Sequence, residues 1–153
     1  MIAGYLKHHS LTRMFSLRQD FSSALNRLVH SPAQTPVKID LTDRHVPVFL
    51  RGRSPLVYAA KLAVRTRDGM SPGALKVSVN GNAVTGFGKD ASLGGLYSVP
   101  LTAAQYGPVI GERPLAIVDP GALAPSPAPA GDVSVADAEK LLDLVLIVEL
   151  RMP

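Results

Sequence analysis

The sequence predicts a mainly β chain: an antiparallel β-sandwich of about eight short strands with one or two short helices. Three observations predict it. Apolar residues recur at every second position in a series of short runs. Clusters of Gly, Pro, Asn, Asp and Ser separate those runs. Only one stretch carries a full helical stripe. Many short strands with turn signals between them suit two packed sheets.

The elements follow in chain order. Leu11, Arg13, Phe15 and Leu17 share one face of a first strand, with Arg13 as the polar exception. Asp20 is placed to cap a helix in which Phe21, Ala24, Leu25, Leu28 and Val29 form one apolar stripe. Ser31-Pro32 ends it, because proline disfavours helix in the residue before it. Val37, Ile39 and Leu41 alternate with polar residues in a second strand. Pro47, Gly52 and Pro55 then break the chain into irregular pieces. From Leu56 to Thr66 the residues Leu56, Tyr58, Ala60, Leu62 and Val64 point one way, and Lys61, Arg65 and Arg67 the other. That predicts a strand with one wet, basic face.

Asp68-Gly69 and Ser71-Pro72-Gly73 mark turns, after which Leu75, Val77 and Val79 alternate into Asn80-Gly81. A two-residue hairpin turn there pairs Val77 with Val84. Gly86 to Gly95 reads as a flexible or bulged loop, and Leu96–Leu101 and Pro114–Val118 as short strands. Pro120–Gly131 is rich in proline and alanine and is expected to be an extended, solvated spacer. Ser134 is expected to cap a short helix through Leu142, with Asp137 at the capping-box position. The closing segment 143–152 is apolar on both faces, which predicts a central strand.

The length of 153 residues suits one domain, 1–153. Within it, residues 10–67 carry the first strands, the helix and an Arg-rich loop. Residues 120–131 form a Pro/Ala-rich loop and 143–152 the closing strand. Cysteine is absent, so disulfides and thiolate metal sites are excluded. No run approaches the ~18 apolar residues of a membrane span. The opening MIAGYLKHHS has Lys7, His8 and His9 where a secretory leader is apolar, so no signal peptide is expected. Residues 1–67 hold 11 Lys/Arg against 3 Asp/Glu, and residues 68–153 hold 5 against 9. The two halves are expected to neutralise each other in the fold; the other reading is a basic face for an acidic partner.

The search for chemistry finds none: no catalytic, cofactor-binding or metal-ligating set is assigned, and the chain is expected not to be an enzyme. His8 and His9 are adjacent and do not share a face, which makes them poor joint ligands. His30 falls at the helix C-terminus, where a cationic ring favours the dipole. His45 lies two positions from Asp43, but no G-x-S-x-G elbow exists to complete a triad, so His45 reads as a structural or interface residue. The only three glutamates are Glu112, Glu139 and Glu149, and no carboxylate pair suggests glycoside hydrolysis. Gly86-Phe87-Gly88 does not continue into a phosphate loop. Arg44, Arg51 and Arg53 are the most concentrated charge, with only Phe49 and Tyr58 as nearby aromatics. Nucleic acid is therefore not the expected partner. An Arg-rich protein interface or a solvated loop remains, since arginine pairs bidentately with carboxylates and stacks on rings.

Ser16-Leu17-Arg18-Gln19-Asp20 with Ala24, Leu25 and Leu28, then Ile39-Asp40-Leu41, Pro47, Phe49, Arg51, Arg53 and the strand from Leu56, and finally Asp143 to Met152, stand in an order that resembles the C-terminal domain of the A subunit of insecticidal toxin complexes (Tc toxins). The resemblance covers the two ends of the chain; residues 68–131 match only in character. It implies a non-enzymatic β-sandwich that docks the β-propeller of the B subunit during toxin-complex assembly. It also implies that the domain belongs to a large A-subunit chain that is secreted or extracellular, without inserting into the membrane itself. No cofactor is implied. Carried over onto matching positions, the partner-binding candidates are Arg44, Phe49, Arg51 and Arg53. The alternative is a carbohydrate-binding or adhesive β-sandwich; such modules present exposed aromatic platforms, whereas this chain has no Trp and four Tyr.

Overall fold

The computed structural model describes residues 11–42, 56–94, 96–125 and 135–151. Among the described residues nine strands form two antiparallel sheets. The strands are β1 (Leu11–Ser16), β2 (Val37–Leu41), β3 (Leu56–Thr66), β4 (Lys76–Val79), β5 (Asn82–Val84), β6 (Gly88–Asp90), β7 (Leu96–Leu101), β8 (Gly111–Asp119) and β9 (Leu141–Arg151). One sheet has the order β1-β9-β3-β7-β6 and the other β2-β8-β4-β5. Three α-helices stand among the described residues: α1 (Leu17–Asp20), α2 (Ser22–His30) and α3 (Ala103–Tyr106).

The core lies between the sheets. Leu62, Val64, Leu144, Leu146 and Val148 face inward from one, and Ile39, Val77, Val79, Leu115 and Ile117 from the other. Leu25, Leu28 and Val29 of α2 join the same cluster, as the helical stripe requires. The closing strand is central, between β1 and β3. Its two apolar faces follow from that position: one meets the opposite sheet, the other forms a small outward cluster of Val145 and Ile147 with Ala63. Asn80 (φ 51°) and Gly81 (φ 83°) turn the β4–β5 hairpin, and Val77 pairs with Val84 as the two-residue turn dictates.

Several expectations are corrected. Asp20 does not cap α2. It belongs to α1, where its carboxylate accepts from the Ser16 backbone N–H at 3.0 Å while Ser16 Oγ accepts from Gln19 N–H at 3.3 Å, a reciprocal cap on a helix of four residues. The alternation of β3 does not run unbroken from Leu56. A register shift between Val57 and Ala59 turns Leu56 and Tyr58 outward, 55% and 54% exposed, while Val57 packs on the core. The outward face of β3 is not simply wet either, since Ala63 there is fully buried. Within the expected loop Gly86–Gly95, Gly88–Asp90 pairs with β7 as an edge strand. Among the described residues 135–140, where the helix capped by Ser134 is expected, no helix forms. Lys140 and Leu141 N–H groups both donate to the Asp137 carbonyl at 2.9 Å, which closes a turn.

The expected spacer is folded where it begins. Gly121–Leu123 is a 3-10 turn with Leu123 fully buried, and Asp137 N–H donates to the Leu123 carbonyl at 2.8 Å. One buried leucine outweighs the extended preference of its Pro/Ala neighbours, because burying a leucine contributes about 2 kcal/mol. Residues 126–134 lie outside the described residues.

Part of the opposite charge of the two halves pairs across the packing. Among the described residues the ion pairs are Lys38–Glu112 (3.7 Å), Lys61–Asp90 (3.1 Å) and Arg67–Glu139 (4.0 Å), and each joins a cation of the first half to a carboxylate of the second.

Candidate functional site

The residues singled out from the sequence, Arg44, Phe49, Arg51 and Arg53, lie outside the described residues, as do His8, His9 and His45. Among the described residues no group of three or more His, Asp or Glu could hold a metal ion, and no helix is long and apolar enough to cross a membrane. Polar side chains around Asp90, Asp143 and Arg113 tie elements together, and one outward sheet face is apolar.

The first node is Asp90 at the end of β6. Its carboxylate accepts from Ser92 Oγ (2.6 Å), Ser92 N–H (3.0 Å), Ser98 Oγ (3.0 Å) and Lys61 Nζ (3.1 Å). The Ser92 hydroxyl above all, then Lys61 and Ser98, hold this carboxyl far below the usual carboxylate range. With its lone pairs taken up, Asp90 is a tie between β6, β7 and β3, not a proton acceptor for a substrate. A folded-state carboxyl held low contributes stability that is present above the ordinary carboxylate value near pH 4 and is lost as pH falls below it. The wild-type melting temperature should therefore drop on acidification below about pH 4, and Asp90→Asn should flatten that acid limb. Identical acid limbs in thermal melts of the two proteins would sink this assignment.

The second node is Asp143, buried at the start of β9. It accepts a short hydrogen bond from Ser16 Oγ and one from Arg18 N–H at 2.9 Å, so β9 clamps the first turn of α1. The third is Arg113, 1% exposed on β8. Its guanidinium lies 4.2 Å from the Tyr106 ring centroid and donates to the carbonyls of Tyr106 (3.1 Å) and Pro108 (2.6 Å). Burial pushes the Tyr106 phenol up to about 12, against a lowering by Arg113, and burial pushes Arg113 down. Thr102 and Gln105 cap α3 reciprocally, at 2.8 and 3.0 Å, and so aim Tyr106 at Arg113. The Thr-x-x-Gln pattern was legible in the sequence; the burial of Arg113 had no local signal.

The outward face of the five-stranded sheet is different in kind. Met14, Leu56 and Tyr58 are each more than half exposed. Pairing of Met14 with Ile147 and of Leu56 with Arg151 puts Met14 and Leu56 on the side of the outward cluster Ala63, Val145 and Ile147. Arg151 stacks on the Tyr58 ring at 3.3 Å from its centroid. A cleft of about 280 Å³ opens beside them, lined in part by Ala59, Lys61, Leu93, Pro100, Ile147 and Glu149. Alternation alone would put polar residues on this face. The bulge at Tyr58 and the apolar outer row of β9 together produce an apolar, aromatic and cationic surface.

No protein-family model matches the chain, and no curated protein or solved structure matches it either.

Proposed function

We propose that the chain is a non-enzymatic protein-binding module of the type that ends a Tc-toxin A subunit, docking the B-subunit β-propeller for assembly of the toxin complex. The observation that carries the binding role is the outward sheet face, where Met14, Leu56 and Tyr58 remain more than half exposed around a ready-made apolar cluster. Aromatic, Met and Arg side chains in such a setting are the composition of interface centres. The choice of partner rests on the resemblance of Ser16–Asp20, Ile39–Leu41 and the closing strand to the toxin-complex domain. Arg44, Phe49, Arg51 and Arg53 precede Leu56 in the chain and are proposed to extend the same contact. On this reading the module acts outside the producing cell, as part of a longer A-subunit chain.

Carbohydrate binding is the weaker reading. Tyr106 is buried, Tyr97 is partly buried against the core, and Arg151 covers one face of Tyr58, which leaves little open ring surface for sugar stacking among the described residues.

The test is binding of the purified chain to a Tc-type B-subunit propeller by biolayer interferometry. Leu56→Ser combined with Tyr58→Ala should weaken binding by about 30-fold or more, as expected for interface anchors. The melting temperature should move by only about 2 °C, because both side chains are already exposed. Arg51→Glu with Arg53→Glu should act in the same direction. Wild-type protein that ignores the propeller but binds a glycan array would replace this reading with the carbohydrate one.

A further inference from the structure

The chain holds four methionines and no cysteine, so its sulfur redox chemistry is that of the thioether alone. Met14 and Met70 are the two among the described residues, and they sit in opposite settings. Met70 is partly buried and packs against the main core. Its N–H donates to the Arg67 carbonyl at 3.0 Å, and its own carbonyl accepts from Thr66 Oγ1 at 2.6 Å. Met14 is 53% exposed in the middle of β1.

Met14 breaks the pattern of its strand. Thr12, Met14 and Ser16 share the outward side of β1, opposite Glu149, Ile147 and Val145 of β9. An outward strand position of this exposure ordinarily carries a polar side chain, as the two flanking positions do. The central one carries a thioether, directly across from Ile147 of the cluster with Val145 and Ala63. Such a side chain extends the apolar face and is open to a dissolved oxidant at the same time.

We infer that Met14 is a reversible oxidation site, and that its sulfoxide releases the outward face from a protein partner. The release rests on the docking reading above; the oxidation site does not. A lone pair of Met14 Sδ attacks one oxygen of hydrogen peroxide. The S–O bond forms, the O–O bond breaks, and the second oxygen leaves as water. Sulfur gives up two electrons and peroxide takes them. Methionine sulfoxide reductases run the return: an enzyme dithiol is oxidised to a disulfide, and the sulfoxide oxygen leaves as water. In the free chain the new oxygen is hydrated, so the fold loses little by it. Under a partner it is buried among apolar side chains, where an unpaired polar group is costly. One chemical change thus acts on binding and not on folding.

The experiment treats the purified chain with hydrogen peroxide. It is followed by peptide mapping, hydrophobic-interaction chromatography and binding to a Tc-type B-subunit propeller. Trypsin separates the two thioethers, with Met14 in residues 14–18 and Met70 in residues 68–76. Met14 should take up oxygen at least about fivefold faster than Met70, as exposure dictates. The chain oxidised at Met14 should elute earlier from the hydrophobic column, with a melting temperature within about 2 °C of the reduced chain. It should bind the propeller about tenfold more weakly. The reductases should restore both elution and binding. In Met14→Leu, peroxide should change neither the elution nor that variant's own affinity for the propeller. Met70 oxidised as fast as Met14, unchanged elution of the oxidised chain, or a shift that persists in Met14→Leu would overturn the site. Equal propeller affinities of reduced and oxidised chain would overturn the release. Reduced wild-type chain that ignores the propeller would sink the docking reading and the release with it, while the map and the elution still decide the site.

Discussion

Gly121→Ala is expected to lower stability by about 3 kcal/mol or more, a large loss from a single methyl group. Gly121 has φ +56°, and a Cβ built there would meet Leu75 N at 2.5 Å, Pro72 O at 2.7 Å and Ala74 C at 2.8 Å. All three are backbone atoms, which cannot swing away as a side-chain tip can. Ala122 N–H donates to Pro72 O at 3.1 Å, so the same approach fastens the turn to the strand entering β4. Pushing the turn outward would also withdraw Leu123 from the core, where it is fully buried. Gly81→Ala separates the two contributions. Gly81 has φ +83° but nothing within 4 Å of a Cβ, so it reports the backbone cost alone, about 1 kcal/mol. Urea midpoints of the two variants decide the matter: equal shifts would mean that crowding at Gly121 relaxes freely.

Arg113→Ala is expected to cost about 3–5 kcal/mol, the range for removing one member of a buried charged network. The substitution leaves the Tyr106 and Pro108 carbonyls without their guanidinium donor and opens a cavity beside the Tyr106 ring. Arg113→Lys should recover part of this and still fall short by about 1–2 kcal/mol, because an ammonium cannot fork to both carbonyls while lying flat on the ring. The sign is predictable because among the described residues no carboxylate faces Arg113: its partners there are main-chain carbonyls, which cannot be neutralised in exchange. Denaturation midpoints of both variants, with an amide-exchange measurement at Tyr106–Val109, test it. Lysine matching the wild type would show that charge alone suffices. Alanine within about 1 kcal/mol of wild type would show that water takes over the carbonyls.

These two residues mark the boundary of what sequence periodicity can carry. The inward faces of β2, β4 and β9, the stripe of α2 and the Val77–Val84 pairing were legible, because each depends on the spacing of residues within one element or one tight turn. The central place of β9 was legible too, since only a strand covered on both sides is apolar on both. Gly121 looked like part of a solvated Pro/Ala spacer. Arg113 stood among ordinary strand residues, and nothing near it in the chain announces that loop carbonyls will surround it. The candidate docking face was half legible. Tyr58 and Leu56 were noticed, but alternation assigned both to the core side, and only the bulge opposite Glu149–Leu150 turns them out.

What the sequence by itself determined is the class of fold, the alternating strands, the hairpin and the buried closing strand. What the tertiary structure decided is where polar groups find partners and which apolar groups stay exposed. Ser16 meets Asp143 across 127 positions, Lys61 meets Asp90 across 29, and Arg151 reaches Tyr58 from the other end of the chain. The physical reason is range. Hydrophobic periodicity is read between neighbours along one element, whereas satisfying a buried charge, or turning a tyrosine outward at a bulge, depends on strands that the sheet order alone brings together.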